Sequence, residues 1–401
     1  MTADQLLVDG PTARVAARTA DTAGAARSPA DDDRVALIRS SFALVAPRAE
    51  ELSRHFYATL FSRAPATRDL FPVNMEVQRS RLLRALVHVV QMVDRPDELV
   101  PFLEQLGRDH RKFGVLAEHY DAVGAALVGA IEEFAGPAWT PRVAHAWTSA
   151  YGVVAGAMRA ATEAERGPAT WLGRVVQHRR VGWDLAVIAV QTGEPVPYRA
   201  GQYLSVETPQ RPRLWRYLSP ANAPRDDGRL EFHVRAVPGG WVSRAIVAHA
   251  RVGDAWRIGP PMGRMQVDRT SGRELLMIAG GTGTAPIRAL LEDLARGGGQ
   301  PRTQVFVGGR TWDDLYDFAT LRRLSYDCPW LDVIPVVERD DTGEGGAELG
   351  TLADVVTRYG AWADHDVTVS GSPAMIRATV SRMLVAGTPL DRITYDPFTL
   401  D

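Results

Sequence analysis

The stretch ELLMIAGGTGTAP, from Glu274 to Pro286, decides the fold of the C-terminal part of the chain. Its first half is a continuous apolar run typical of a strand buried on both faces, and its second half is a glycine-rich turn that opens into a helical pattern. Gly281 and Gly283 have no Cβ, so backbone amides there can approach a phosphate, and Pro286 suits a first helical turn. We interpret this turn, including Thr284, as a pyrophosphate site; a purely structural turn is the alternative.

Strands and helices alternate from this turn to the end of the chain. TQVFVGG, LDVIPVVE and DVTVSGS have strand patterns, whereas WDDLYDFATLRRL and PAMIRATVSRMLVAG have helical ones. This alternation predicts a parallel α/β sheet of the nucleotide-binding kind over residues 271–401. VSGSPAMI is a second strand that ends at a glycine, Gly371, so two strand ends meet at one crevice.

Residues 168–270 have a different pattern, typical of a small antiparallel β-barrel. GRVVQHRRVGWDLAVIAVQ predicts two strands around a turn, and GQYLSVET and RLEFHVRAV alternate with period two. RLWRYLSPAN places Arg216 and Ser219 at a strand end, and PGGWVSRAIV places Gly240 and Ser243 at the start of a helix. An arginine and a helix N-terminus suit a second pyrophosphate, although a solvated arginine and a plain turn explain the same residues. Two neighbouring dinucleotide sites indicate hydride transfer.

The region from residue 34 to residue 165 has helical periodicity throughout. FALVAPRAEELSRHFYATLF, RLLRALVHVVQMV and YDAVGAALVGAIEEF each carry an apolar stripe at helical spacing. We therefore predict an all-α domain here. Residues 1–33 have no periodicity, and we expect them to form a flexible tail.

Composition excludes several classes of protein. The chain has 401 residues and a net charge of −2, which gives no reason to expect nucleic acid as a partner. Its single cysteine, Cys328, rules out an internal disulfide and fits a reducing compartment. The sequence has neither an apolar run of the roughly 20 residues needed to span a membrane nor the apolar core of a signal peptide. We expect a monomeric cytoplasmic protein.

Five motifs carry a resemblance to a known family. RYLS, GGWVS, GGTGTAP, SGSPAMI and the terminal YDPF, which contains Phe398, resemble the ferredoxin–NADP reductase family of FAD barrels joined to nicotinamide domains. The helical domain resembles a globin, so the whole chain after residue 33 resembles a flavohaemoglobin. That resemblance implies three cofactors, namely haem b, FAD and NAD(P)H.

The same resemblance assigns roles in the helical domain. His110 in GRDHRKFG matches the histidine that is the only protein ligand to the haem iron. Tyr57 in HFY matches the distal tyrosine, and Tyr120 matches the proximal tyrosine. Three further positions match residues that line the distal side of the haem: Phe71, Gln78 and Leu82. The alternative for a lone helical histidine is a side chain without a ligand-binding role, either solvated or packed in the core.

The sequence departs from the family pattern at several positions. The flavin motif has Leu218 where the family has tyrosine, while Tyr217 points to the other face of the strand unless a local bulge turns it back. The family has a glutamate beside the proximal histidine, and the matching position in this sequence is Thr162. The adjacent Glu163 can take that role only if the helix is shifted or rotated. Ser370 and Pro397 replace cysteines near the nicotinamide. We expect weaker flavin binding and less efficient hydride transfer.

The resemblance implies a nitric oxide dioxygenase, in which electrons pass from NAD(P)H through FAD to the haem, and nitric oxide and O2 become nitrate. Two alternatives remain at this point. One is a haem-based gas or redox sensor, which does not require the complete nicotinamide crevice. The other is a flavohaemoglobin relative that takes electrons from another donor. Arg310 after FVGG is a candidate contact for a 2′-phosphate and an equally good solvated helix-start residue, so the sequence leaves NADH and NADPH open.

Overall fold

The computed structural model describes residues 29–340 and 346–396. The chain divides into two compact units, with the boundary between Thr170 and Trp171. The first unit is helical, and the second contains a six-stranded antiparallel sheet followed by a six-stranded parallel sheet. The predicted order of a helical region, an antiparallel barrel and a parallel α/β region is confirmed.

Within the described residues, the first unit contains six α-helices. The first helix begins at Pro29, so the last residues assigned to the flexible tail are helical, whereas residues 1–28 lie outside the described chain. Asp31 and Asp32 in its first turn complement the positive end of the helix dipole. The helices are α1 Pro29–Val45, α2 Ala49–Arg63, α3 Glu76–Met92, α4 Pro96–His110, α5 Ala117–Ala135 and α6 Pro141–Ala164.

Apolar side chains of the helical unit gather into two separate clusters. One cluster surrounds Phe56 and Leu60 on α2, and the other surrounds Leu103 on α4. Helices α4 and α6 cross so closely that a Cβ on Gly107 would collide with the backbone of Met158. Glycine at this crossing therefore fixes the last turn of α4 against α6.

The antiparallel sheet has the strand order β4-β3-β6-β1-β2-β5 and encloses a core in which Trp256 and Phe232 are fully buried. A helix, α7, follows the edge strand β5. The elements are β1 Trp171–Val181, β2 Leu185–Thr192, β3 Tyr203–Glu207, β4 Arg216–Leu218, β5 Arg229–Arg235, α7 Trp241–His249 and β6 Ala255–Met262.

The parallel sheet has the strand order β10-β9-β8-β7-β11-β12, with an apolar cluster on each face. The chain adds strands outward from β7 to β10 on one side and then from β11 to β12 on the other, so the topological switch point lies between β7 and β11. The strands are β7 Leu275–Gly280, β8 Thr303–Gly309, β9 Leu331–Val337, β10 Glu348–Leu349, β11 Asp366–Ser370 and β12 Ile393–Thr394. The helices are α8 Thr284–Arg296, α9 Phe318–Asp327, α10 Leu352–Tyr359 and α11 Pro373–Ala386.

The helix predicted from Trp312 is wrong at its start, because the α-helix begins only at Phe318. A short 3₁₀ turn precedes it, and Leu315 leaves the helical region with ψ 45°. The Asp314 carboxylate accepts a hydrogen bond from the Arg310 amide at 3.1 Å, which holds the segment in a turn. Within the described ranges, none of the helices combines the length and the apolar character that crossing a membrane requires.

Candidate functional site

His110 is the last residue of α4 and is suited to bind a metal through one nitrogen. Its Nδ1 lies 2.7 Å from the Leu106 carbonyl oxygen, one turn back along the helix. Because a carbonyl only accepts, Nδ1 carries the proton and Nε2 keeps a lone pair. Burial lowers the pKa of His110, so the ring is neutral near pH 7. A neutral imidazole with one nitrogen held by a backbone carbonyl has the form of a haem ligand.

Helix α6 supports the last turn of α4 from the side. The Thr162 hydroxyl lies 3.1 Å from the Gly107 carbonyl oxygen and 2.9 Å from the Met158 carbonyl oxygen. Glu163, one residue further along α6, has an exposed side chain. The helix is therefore not rotated in the way that the Glu163 assignment requires, and the structure places Thr162 on this side instead.

Tyr120 lies on α5, and its ring belongs to the apolar cluster around Leu103. The Tyr120 hydroxyl is buried, and the Thr162 hydroxyl is its polar neighbour. Burial raises its pKa, and the neighbouring Thr162 hydroxyl opposes that shift. The Tyr120 backbone is held by Tyr151, whose hydroxyl donates to the Tyr120 carbonyl at 2.5 Å.

Tyr57 on α2 lies in the other apolar cluster of the helical unit. Its ring centroid is 5.8 Å from that of Phe61 and 5.5 Å from that of Phe71. The Tyr57 hydroxyl donates a long hydrogen bond of 3.4 Å to the backbone carbonyl of Gln78. Burial raises the pKa of Tyr57, so the phenol keeps its proton and remains a donor at neutral pH.

The remaining distal positions lie close to Tyr57 along the same cluster. Gln78 is half-buried at the start of α3, and Leu82, one turn later, packs against the apolar side chains around Tyr57 and Phe71. The structure thus brings Tyr57, Phe71, Gln78 and Leu82 together. The two apolar clusters, one with these residues and one with Tyr120, suit the two faces of a haem, and the residues present fit that group.

The flavin motif occupies the short strand β4. Leu218 lies opposite Leu204 and Arg216 opposite Val206, in an unbroken antiparallel register with β3. Leu218 packs against the barrel core, and the Arg216 guanidinium donates to the Trp215 carbonyl at 2.9 Å. The register leaves no bulge that turns Tyr217 back toward the face of Leu218.

Tyr217 instead points to the opposite face, where its ring centroid lies 5.1 Å from that of Tyr203. Tyr203 was not among the predicted site residues. A Cβ on Gly263 would crowd both the Tyr203 ring and a carboxylate oxygen of Asp396, so the C-terminal residues approach this aromatic pair. Phe398 lies outside the described residues. The signal for Tyr203 was available, because an aromatic residue on the same face of the neighbouring strand stands diagonally opposite Tyr217.

The second proposed phosphate contact is the glycine turn that lies directly before α7. Gly239 has φ 74°, a conformation that favours glycine, and Gly240 is the N-terminal cap residue of the helix. The Ser243 hydroxyl accepts the Val237 amide at 3.4 Å and lies against Gly240. Ser219, which follows β4, is half-buried. A glycine turn, a hydroxyl and Arg216 together fit the pyrophosphate of FAD.

The second glycine turn lies at the switch point of the parallel sheet. Ser370 of β11 pairs with Ala279 of β7, so the turns that follow these two strands meet. Gly283 lies so close to Ser370 and Gly371 that a Cβ there would collide with their backbone. The Thr284 hydroxyl donates to the Gly281 carbonyl at 2.9 Å and secures the start of α8, in which Pro286 is buried. Ligands of open α/β sheets bind in this crevice, so the residues fit a nicotinamide dinucleotide.

Three family descriptions match the chain in the same order as the structural regions. They are Globin over residues 54–158, Oxidoreductase FAD-binding domain over residues 173–267 and Oxidoreductase NAD-binding domain over residues 277–381. A haem domain joined to FAD- and NAD-binding domains defines an NAD(P)H-dependent oxidoreductase whose cofactors are haem, FAD and NAD(P)H.

Similar proteins extend this assignment. A flavohemoprotein of Bordetella parapertussis is 30% identical over 281 residues, which cover 65% of this chain and 70% of that protein. A flavohemoprotein of Bacillus subtilis is 24% identical over 92% of this chain and 97% of that protein. A crystal structure of a flavohemoglobin from Malassezia yamatoensis, with FAD and haem bound, has the same fold, with a TM-score of 0.74 and 19% identity over 92% of this chain and 98% of that one. The chain belongs to the flavohaemoprotein family.

Proposed function

We propose that the chain is a nitric oxide dioxygenase that uses electrons from NAD(P)H and O2 to convert nitric oxide into nitrate. Each nitric oxide converted in this way needs one electron, so one NAD(P)H, a two-electron donor, supports the conversion of two. When bound, the haem supplies the iron at which the two gases react, FAD passes electrons singly, and NAD(P)H supplies the pair.

One observation carries this proposal: the protonated phenol of Tyr57 lies in an apolar cluster of the same domain in which His110 offers a lone pair. His110 would hold the haem iron, and its hydrogen bond to Leu106 keeps the ring oriented. Tyr57 would donate to a gas ligand that carries partial negative charge, because its 3.4 Å hydrogen bond to the Gln78 carbonyl is weak enough to exchange. The apolar clusters exclude water from this reaction.

The remaining predicted residues bind the two dinucleotides that supply electrons to the haem. Arg216, Ser219, Gly240 and Ser243 bind FAD, and the crevice with Gly281, Gly283, Thr284 and Gly371 binds NAD(P)H. A continuous electron supply favours an enzyme over a gas or redox sensor, because a sensor turns over no substrate. Arg310 is exposed at the end of β8, which is compatible with either nicotinamide dinucleotide.

The test is aerobic consumption of nitric oxide by the purified full-length protein, with NADH and NADPH compared and nitrate measured as the product. We expect nitrate to form in proportion to the NAD(P)H oxidised and His110→Ala to abolish the reaction. Gas binding without nitrate formation would favour the sensor. Reduction of the haem by neither dinucleotide, with turnover restored by an artificial donor, would favour another physiological electron source.

A further inference from the structure

A polar network of one buried and three half-buried side chains joins the antiparallel barrel to the parallel α/β region. Its centre is His233 on β5, whose side chain is 1% exposed. His233 Nε2 lies 3.1 Å from Oε1 of Glu231, and its Nδ1 lies 2.8 Å from the Tyr316 hydroxyl in the segment before α9. Neither predicted dinucleotide site includes these residues.

The partners fix where the protons of the network lie. A carboxylate only accepts, so Nε2 of His233 carries the proton and Nδ1 accepts from the Tyr316 hydroxyl. The hydrogen bond from His233 is the main reason that the pKa of Glu231 falls to about 2, and burial raises the pKa of Tyr316. Each hydrogen bond therefore has one defined donor near neutral pH.

Arg288 extends the network along α8. Its Nη1 lies 2.8 Å from Oε1 of Glu231 and its Nε 2.9 Å from Oε1 of Glu292, while Oε2 of Glu292 accepts the Ala223 amide at 3.0 Å. Arg288 also approaches Asp317 at 3.4 Å. Partly buried charges that share partners across two regions hold those regions in one arrangement, since removing one partner leaves another uncompensated.

The network connects β5 and α8, the two elements that adjoin the glycine turns. Strand β5 continues into the turn at Gly239 and Gly240, and α8 begins at the turn at Gly281–Gly283, which itself lies beside β5. We propose that Glu231, His233, Arg288 and Tyr316 form a positioning network that sets the NAD(P)H turn at a fixed place relative to the FAD turn. The proposal rests on the FAD and NAD(P)H chemistry of the family and is independent of the reaction with nitric oxide.

Such positioning matters because the electron pair moves directly between two bound dinucleotides. NAD(P)H gives a hydride to FAD, which also takes up one proton, so that NAD(P)⁺ and FADH2 result. The two reacting rings must approach to near contact, and a displacement of roughly 1 Å slows such a step by about 100-fold. Loosening the network should therefore lower the limiting rate of flavin reduction while leaving the affinity for either dinucleotide nearly unchanged.

The sharpest test compares Tyr316→Phe with Tyr198→Phe in the full chain. Both substitutions remove one phenol hydroxyl, from the half-buried Tyr316 and from the buried Tyr198, but the Tyr198 hydroxyl donates to the Asn222 carbonyl at 2.8 Å rather than to a residue of the network. For Tyr316→Phe we expect an about 10-fold lower limiting rate in anaerobic flavin reduction at saturating NAD(P)H, with the dissociation constants for both dinucleotides within about twofold of wild type. Tyr198→Phe should keep the wild-type limiting rate.

Amide hydrogen exchange in the protein without NAD(P)H provides a readout that does not depend on turnover. Tyr316→Phe should speed exchange in the first turn of α8 and in β5, whereas Tyr198→Phe should not. His233→Ala should reproduce the Tyr316→Phe pattern if both act through one network. Equal rate losses in Tyr316→Phe and Tyr198→Phe, or an unchanged rate in Tyr316→Phe, would overturn the proposal and leave the nitric oxide reaction untouched.

Discussion

The haem-binding helices of this protein keep the residues that the family pattern expects, whereas the flavin-binding strand departs from them. In the helical unit, His110, Tyr57 and Tyr120 are the residue types that the family pattern expects. Each of them takes part in a hydrogen bond to a backbone carbonyl: His110 to Leu106, Tyr57 to Gln78, and the Tyr120 carbonyl with the Tyr151 hydroxyl. In the barrel, Leu218 replaces the expected tyrosine, and Tyr217 faces away from it on a strand of only three residues. A metal ligand needs one correctly placed atom, whereas a flavin contact depends on which face of a short strand a side chain occupies.

Of the substitutions considered, removal of the metal ligand should have the largest effect, namely loss of the haem. The contrast between the two regions would fail if the haem stayed bound. His110→Ala should abolish haem binding, because its Nε2 is the only lone pair assigned to the iron. Absorption spectra of the purified variants provide the measurement. His145→Ala, on the exposed side of α6, is the matched control and should keep the wild-type haem content. A His110→Ala protein with an unchanged haem spectrum would refute the assignment.

Acid should weaken the reductase half through Glu231. Its pKa falls from the usual 4.5 to about 2 in the folded protein, so its stabilising effect is present above pH 4.5 and is lost as the pH falls through about 2. The shift corresponds to about 3 kcal/mol. Glu231→Gln should flatten the decline in unfolding free energy between pH 5 and about pH 2, as measured by denaturant titration. An equally steep decline in the variant would show that other carboxylates cause it.

The distal tyrosine tests the haem side of the comparison with a smaller change. Tyr57→Phe removes a donor without changing the aromatic packing with Phe61 and Phe71. We expect the O2 dissociation rate to rise about tenfold, the effect of a polarised hydrogen bond of about 1.5 kcal/mol. Stopped-flow displacement of O2 measures this rate. Unchanged kinetics would mean that the phenol stays with the Gln78 carbonyl and never reaches the ligand.

The flavin side of the comparison is sharpened by restoring the family residue. Leu218→Tyr should bind FAD several-fold more tightly, because one hydrogen bond contributes on the order of 1 kcal/mol. Titration of flavin-free protein with FAD measures the gain. Tyr217→Phe is the companion variant and should leave the affinity unchanged, since β4 has a regular register. A loss of affinity in Tyr217→Phe and no gain in Leu218→Tyr would assign the flavin contact to Tyr217.

The smallest effect is expected at Glu163. Its side chain is exposed, so Glu163→Gln should change neither the haem spectrum nor the rate of haem reduction by more than about twofold. Thr162→Val, by contrast, removes a hydroxyl that lies 3.1 Å from the Gly107 carbonyl and should lower the stability of the helical unit by about 1 kcal/mol. If the two substitutions lowered the stability of the helical unit equally, Glu163 as well as Thr162 would have to face α4, and α6 would be rotated relative to the contact between Thr162 and Gly107.

The sequence predicted the three regions and their order because periodicity and glycine turns are local signals. The resemblance also placed Tyr57, Phe71, Gln78 and Leu82 on the distal side of the haem, and in the structure these four residues are neighbours in or beside one apolar cluster. These site assignments came from the family resemblance, since a single histidine such as His110 has no informative spacing of its own.

The parts that the sequence missed depend on contacts between distant segments. The start of α9 is displaced because Asp314 bonds to Arg310 and because Tyr316 reaches His233, 83 residues earlier in the chain. Nothing in WDDLYDFATLRRL signals those partners. The choice between Thr162 and Glu163 likewise depended on the rotation of α6 against α4, which the close contact at Gly107 fixes.

The most direct measurement of the central claim is the absorption spectrum of the purified full-length protein while NAD(P)H is added without oxygen. If the chain carries electrons from NAD(P)H through FAD to a haem held by His110, the flavin band should bleach and the haem spectrum should then change to that of the reduced form, with neither change occurring in protein stripped of FAD. A flavin band that bleaches while the haem stays oxidised would contradict the account.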